Sequence, residues 1–241
     1  MNGREWRVEP LGENALLLRF EQRLDPAVNR RVHALAAAIE SRRPIWLREL
    51  VPGFASLALL VDPCAIADSD ALEHARNWLQ QAALGAAENP TQPTLPSIEI
   101  PVCYGGEYGP DLDALAAHVG LAADEAIARH AAGDYRVAML GFAPGFPYLL
   151  GLDRSLSMPR LDTPRTRVAA GSVGIGGAQT GIYPRQGPGG WRIIGRTPLT
   201  LFDAARTTPN LLAPGQRVRF VPIDAAEFAR LAAARARRGR G

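Results

Sequence analysis

Between positions 165 and 192 the chain crowds together side chains suited to holding a small polar anion: Arg165, Arg167, Ser172, Gln179, Thr180, Tyr183 and Arg192. Arginine offers a planar fork that matches carboxylate or phosphate, glutamine reads an amide or carbonyl, and hydroxyls orient what is bound. Gly171 and the glycines at 174, 176, 177 and 181 lie among them, so backbone N–H groups could also face an anion. Each of these residues is also common in turns, and glycine at barrel corners accounts for several of them. Proton-transfer groups are missing from the same stretch. His33, His74, His118 and His130 lie upstream, as do Cys64 and Cys103, and the nearby acids are Asp153, Asp162 and Asp203, of which Asp153 and Asp203 suit turn bracing. No nucleophile–base arrangement is visible there, as expected of a half-site completed by another chain.

All 27 basic residues are Arg and none is Lys, which excludes a P-loop lysine, a lysine base and a Schiff base. Any phosphate must then be held by Arg or by backbone N–H groups. A net charge of +3 over 241 residues gives no argument for nucleic acid, and the Arg-rich tail has no aromatic residue for base stacking. No apolar run approaches the ~20 residues of a membrane span, and the polar N-terminus is unlike a signal peptide, so a cytoplasmic protein is expected. The two isolated cysteines suggest buried free thiols, with neither zinc nor a disulfide.

The elements that must position these groups fall into two parts. Residues 1–84 read as strand, helix, two strands, helix, with an extra strand at Trp6–Val8: a small ferredoxin-like α+β domain. Asp25-Pro26 marks one helix start and Asp68 or Ser69 the other, while Pro52-Gly53 marks a hairpin turn. Residues 85–97 (GAAENPTQPTLPS) lack any hydrophobic period and read as a linker. From 98 to 223 come a strand, two short Ala-rich helices, and then β-like runs punctuated by Gly and Pro, which suggest a closed β-barrel. Within it, GFAPGFPYLLGLD (141–153) reads either as a rigid loop displaying aromatics or as a tight corner whose aromatics fill the core; spacing favours the corner. Residues 224–241 form a helix, opened by Asp224 and Glu227 at capping-box spacing, with an Arg-rich end.

Several long strings carry a resemblance: YGGEYGPDLDALAAHVGL (104–121), GFAPGFPYLLGL (141–152), VAAGSVGIGGAQTGIYP (168–184) and GPGGWRIIGRTPLTLFD (187–203), with ELVPGFASLALLVD (49–62) weaker. The chain resembles the family of 5-oxoprolinase B-type subunits, also described as allophanate hydrolase subunit 1 and as the sporulation-kinase-inhibitor family. Ala178 and Gly187 depart from its usual pattern. The resemblance implies a cyclophilin-like β-barrel after a smaller α/β domain. It also implies C-type and A-type 5-oxoprolinase subunits as partners, 5-oxoproline as substrate, and ATP as cosubstrate, with any Mg acting in the complex. Two other roles follow from the same resemblance: a non-catalytic module that inhibits a histidine kinase, and an allophanate-type or carboxyltransferase subunit of urea metabolism. In the leading reading, Arg165, Arg167 and Arg192 contact anions, Gln179, Thr180 and Tyr183 contact substrate polar groups, and Gly171 and Ser172 line the site.

Overall fold

The computed structural model describes residues 6–68, 70–88 and 96–238. The chain divides into two compact units, Met1–Thr94 and Leu95–Gly241.

The first unit holds β1 (Trp6–Pro10), β2 (Ala15–Phe20), α1 (Pro26–Glu40), β3 (Leu47–Pro52), β4 (Ser56–Val61) and α2 (Ala71–Glu88). Its sheet runs β1-β2-β4-β3, antiparallel throughout, and β3 and β4 pair as the hairpin that Pro52-Gly53 announces. Alternation explains the layering: in β4 Leu57, Leu59 and Val61 are fully buried while the residues between them are half-exposed. Val28, Val32, Leu35 and Ile39 bury one stripe of α1 against that face. Burial of each such side chain contributes roughly 1.5–3 kcal/mol. Asp25 accepts a hydrogen bond from the Ala27 amide, and Pro26 opens the helix. For α2 the cap is Asp70, whose carboxylate accepts from the Glu73 amide; Asp68 instead accepts from the Asp70 amide, and Ser69 lies outside the described residues. This helix runs on through Glu88, past Gly85 where a linker was expected, and residues 89–95 of that stretch lie outside the described residues.

The second unit is a closed seven-stranded barrel in the order β10-β7-β6-β13-β5-β12-β9. Its strands are β5 (Ile98–Tyr104), β6 (Tyr135–Leu140), β7 (Pro147–Leu150), β9 (Ser172–Gly176), β10 (Gln179–Ile182), β12 (Arg192–Arg196) and β13 (Arg217–Ile223). The first and last of these pair in parallel, Ile98 beside Val218 and Cys103 beside Ile223; β13 also pairs with β6. A two-stranded ribbon, β8 (Arg165–Val168) with β11 (Gly187–Gly189), lies outside the barrel's hydrogen-bonded ring. Helices α3 (Leu112–Val119) and α4 (Ala123–Ala132) follow β5, and α5 (Ala225–Arg238) follows β13. Asp224 accepts from the Glu227 amide at the start of α5, as the capping-box spacing anticipates. Inward residues including Ile100, Val102, Leu149, Val173, Ile175, Ile182 and Phe220 fill the barrel. Both cysteines are free, Cys103 buried and Cys64 exposed.

Candidate functional site

The chemically rich strings converge on the outer face of β9, β10 and β7. In β9, Val173 and Ile175 point into the core, which turns Ser172, Gly174 and Gly176 outward. The same alternation in β10 sends Thr180 and Ile182 inward and Gln179 and Gly181 outward. Trp191 lies across this outward face. A Cβ at Gly176 would sit 2.7 Å from the indole nitrogen, and one at Gly181 would sit 3.0 Å from the ring, so only glycine lets the indole lie so close to the strands. Phe146, Val168, Tyr183, Trp191 and Ile193 form a buried cluster there, with Tyr148 and Ala143 packed against it. This cluster is separate from the barrel core, so the aromatics of GFAPGFP do not fill that core as a tight corner would require. They build a second layer on the outside instead.

Three segments frame the indole. Met158–Leu161 is tied down by Gly177 N–H to the Met158 carbonyl (2.8 Å) and Leu161 N–H to the Gly190 carbonyl (2.7 Å). It carries Arg160, whose guanidinium lies 5.6 Å from the centre of the Trp191 ring. Tyr148 stands on the next strand, opposite Gly181, with its ring 5.8 Å from Trp191. The loop before β7 presents Phe142, which is 65% exposed and has φ = 64°, edge-on to Phe146 and Tyr183. That left-handed backbone costs a residue such as Phe on the order of 1 kcal/mol or more, as is common where structure serves a site. Burial raises the phenols of Tyr148 and Tyr183, and the Arg160 charge pulls both back down.

Gln179 lies directly opposite Gly176 and therefore beside the indole. It is 7% exposed, and its side-chain nitrogen is buried without a hydrogen-bond acceptor. Leaving an amide donor in that state costs about 1–3 kcal/mol. The indole beside it is 5% exposed with Arg160 lying over its ring, so a carbonyl or carboxylate reaches this donor only when the Met158–Leu161 segment moves aside.

The other predicted residues fall elsewhere or have committed side chains. Tyr183 is buried in the aromatic layer, its hydroxyl against Gly189. Ser172 is buried on the same outer face. Thr180 is turned into the barrel, away from any ligand on that face. Its hydroxyl donates to the Gly174 carbonyl (3.0 Å) and meets His130 Nε2 (3.1 Å). Arg165 already has its anion: a two-pronged bridge to Asp111 at 2.8 and 2.7 Å, which raises the Arg165 pKa. Asp111 also accepts from the Ile193 amide at 2.6 Å, so the pair clamps the start of α3 to β8 and β12. Arg192 donates to the Pro159 carbonyl and Arg196 to the Ala170 carbonyl, bracing the frame. Arg167 is exposed on β8. Gly171, at φ = 82°, takes a backbone turn that disfavours other residues, and its N–H is used by the Tyr183 carbonyl. Asp153 and Asp203 brace turns by accepting from the amides of Ser155 and Ala205.

Two residues were missed by reading the sequence. Arg160 falls just outside the glycine-rich string, and only the bridge at Met158 carries it over Trp191. His130, from α4, reaches the block from upstream. It is 1% exposed, stacked on Phe220 at 4.6 Å, and held between the Tyr104 hydroxyl (2.8 Å) and Thr180. Since Thr180 donates to a carbonyl, it accepts from His130 Nε2–H, and Nδ1 accepts from Tyr104. Burial lowers the His130 pKa to about 3, so this imidazole is neutral and sealed inside the barrel. Among the described residues no three His, Cys, Asp or Glu come together as a metal set.

Residues 6–212 match the family model for the carboxyltransferase domain, subdomains C and D. The chain is 40% identical over 229 residues to the B-type subunit of 5-oxoprolinase from Bacillus subtilis (strain 168), covering 92% of this chain and 95% of that one. This chain belongs to the family of 5-oxoprolinase B-type subunits. A second relative of the same name, from Escherichia coli O157:H7, is 43% identical over 213 residues, covering 88% of this chain and 94% of that one. Among solved structures, TTHA0988 superposes with a TM-score of 0.74 at 37% identity over 88% of this chain, which spans 40% of the length of that one. The Bacillus subtilis and Escherichia coli relatives are both named as subunits of 5-oxoprolinase. No helix among the described residues is long and apolar enough to cross a membrane.

Proposed function

We propose that this chain is the B-type subunit of an ATP-dependent 5-oxoprolinase that acts with C-type and A-type subunits to hydrolyse 5-oxo-L-proline to L-glutamate, and that its outer-face site holds the lactam. The carrying observation is the unpartnered Gln179 amide beside the Trp191 indole with Arg160 over the ring. 5-Oxoproline is a small ring with a carboxylate on one side and a lactam carbonyl on the other. With the Met158–Leu161 segment lifted from the buried Trp191, the indole face suits the ring, Arg160 suits the carboxylate, and the Gln179 N–H suits the carbonyl oxygen. ATP supplies the phosphoryl group that makes an unreactive lactam carbonyl open to water, and without lysine its phosphates fall to arginine or to backbone N–H groups. What this chain contributes is binding and orientation. His130 is sealed in the barrel, and neither the aromatic layer around Trp191 nor the Met158–Leu161 segment over it contains a His, Cys or carboxylate. The proton-transfer groups and the shielding from water therefore come from the partner.

The test is reconstitution: ATP-dependent glutamate release from 5-oxoproline, measured for this chain alone, with a C-type subunit, and with C-type and A-type subunits. Activity only in the mixtures is the expected result. A full mixture that releases no glutamate refutes the reading, and turnover by the isolated chain refutes the shared site.

A further inference from the structure

The second unit carries a concavity of about 980 Å³ between α5 and the loop that follows β12, apart from the Trp191 layer. The loop is itself fixed. Leu211 N–H bonds the Leu201 carbonyl, Asp203 N–H bonds the Pro209 carbonyl, and Phe202 bridges to Asn210, so residues 201–211 fold back as a small rigid ribbon. Helix α5 is pinned above it at two points. Phe228 packs on Tyr108 with centroids 4.5 Å apart, and Arg235 donates to the Pro198 carbonyl at 2.6 Å. Between the pins the walls do not meet. Leu199, Phe202, Leu211 and Leu231 give the space an apolar lining, and the volume falls within the range of small-molecule sites.

Three guanidinium groups, Arg206, Arg230 and Arg235, line that apolar space, and Asp203 is the carboxylate among its lining residues. Asp203 is already used, one oxygen by the Ala205 amide and the other by Arg206 at 3.2 Å. Arg230 is paired with Glu227 on its own helix, and both of these exposed pairs are screened by solvent, so an incoming anion can recruit either arginine. Arg235 spends one nitrogen on a carbonyl and keeps its full charge. One carboxylate would need one fork. Three forks around an apolar lining with an aromatic ring suit a polyanion attached to a flat or apolar body.

We infer that this pocket binds an organic phosphate of nucleotide size, its phosphates on Arg206, Arg230 and Arg235 and its apolar body against Phe202 and the leucines. A chain without lysine must hold phosphate with arginine or backbone N–H groups, and this pocket gathers three of its arginines. The identity of the nucleotide as ATP rests on the proposed reaction; the binding of an organic phosphate does not.

The test is calorimetric titration of the full chain with ATP, ADP and adenosine, without the partner subunits. ATP is expected to bind more tightly than ADP and at least tenfold more tightly than adenosine. Arg206→Ala and Arg235→Ala should each weaken ATP about tenfold, and Arg206→Glu should abolish its binding. Because Arg235 also braces α5, the Arg206 variants carry the decision if Arg235→Ala lowers the melting temperature. Unchanged ATP affinity in the folded Arg206 variants, adenosine binding as tightly as ATP, or no binding of either nucleotide overturns the inference. If nucleotide does not bind while the three-subunit mixture still releases glutamate, only the pocket assignment falls. Binding that survives in a mixture without lactam-dependent turnover would instead sink the proposed reaction.

Discussion

Acidification from pH 7 to pH 5 is expected to cost the barrel about 2 kcal/mol through His130 alone. The imidazole is fully enclosed, and burial is what lowers its pKa from 6.5 to about 3. The groups facing it add no charge, since the phenols of Tyr104 and Tyr135 are pushed up by burial and Thr180 cannot ionise. With the folded pKa below the unfolded one, the unfolded chain takes the proton first. The stabilisation is therefore complete above the unfolded value of 6.5, declines as the pH falls below it, and levels off only near the folded value of about 3. At pH 5 the solution lies about 1.5 units below 6.5, and at about 1.4 kcal/mol per unit this gives the 2 kcal/mol. Hydrogen exchange of amides in β6 and β13 reports the second unit by itself and should be followed at both pH values in urea, for the native chain and for His130→Gln. The variant starts less stable at pH 7 but should lose about 2 kcal/mol less on acidification, because the carboxylates that also titrate are common to both proteins. Equal losses would mean that His130 is charged or hydrated in the folded barrel, and the tautomer argument would fall with it.

Gln179→Leu should leave the chain as stable or up to about 1 kcal/mol more stable, since it removes a buried donor without an acceptor, while raising the KM for 5-oxoproline about tenfold in the reconstituted complex; paired melting and kinetics check both. Gly176→Ala should cost roughly 2 kcal/mol or more, because the new methyl meets the Trp191 indole, and the shift should appear in indole fluorescence as well as in urea midpoints. Arg165→Ala strands the nearly buried Asp111 carboxylate and should cost about 2 kcal/mol by urea denaturation, with Arg165→Lys recovering only part because the two-pronged geometry is lost. Arg160→Ala, by contrast, should leave the urea midpoint within about 0.5 kcal/mol of the native value, since this exposed residue serves the ligand, and should raise KM with little change in kcat.

Local signals made much of the fold legible. Asp25-Pro26, the alternation in SLALLV and the turn at Pro52-Gly53 each act within a few residues, and the elements formed where those signals stood. Glycine density marked where backbone would pass close to another group, and Gly174, Gly176 and Gly181 do so. The sequence could not say that the other group was Trp191 of the same chain, because that contact depends on the bend before β12 folding back over the outer face of β9 and β10. Thr180 and Gln179 were indistinguishable as adjacent polar residues, yet barrel closure turns one into the barrel and the other into the buried layer outside it. Arg165 has its own counter-ion 54 positions upstream, a separation that no local pattern records. His130 was set aside for lying before the glycine-rich block, and the barrel folds it in beside Thr180.

The parallel pairing of Ile98–Tyr104 with Arg217–Ile223 sets a constraint on how the chain is made. The strand that opens the barrel unit leaves the ribosome more than a hundred residues before the strand that seats beside it, about 5–25 s at ordinary elongation rates. Throughout that interval the sheet has two free edges, at β5 and β6, both waiting for one late segment. Interruption of synthesis before Arg217 leaves those edges unpaired, and a chain released at that point is set to stick to another of its kind rather than to close on itself.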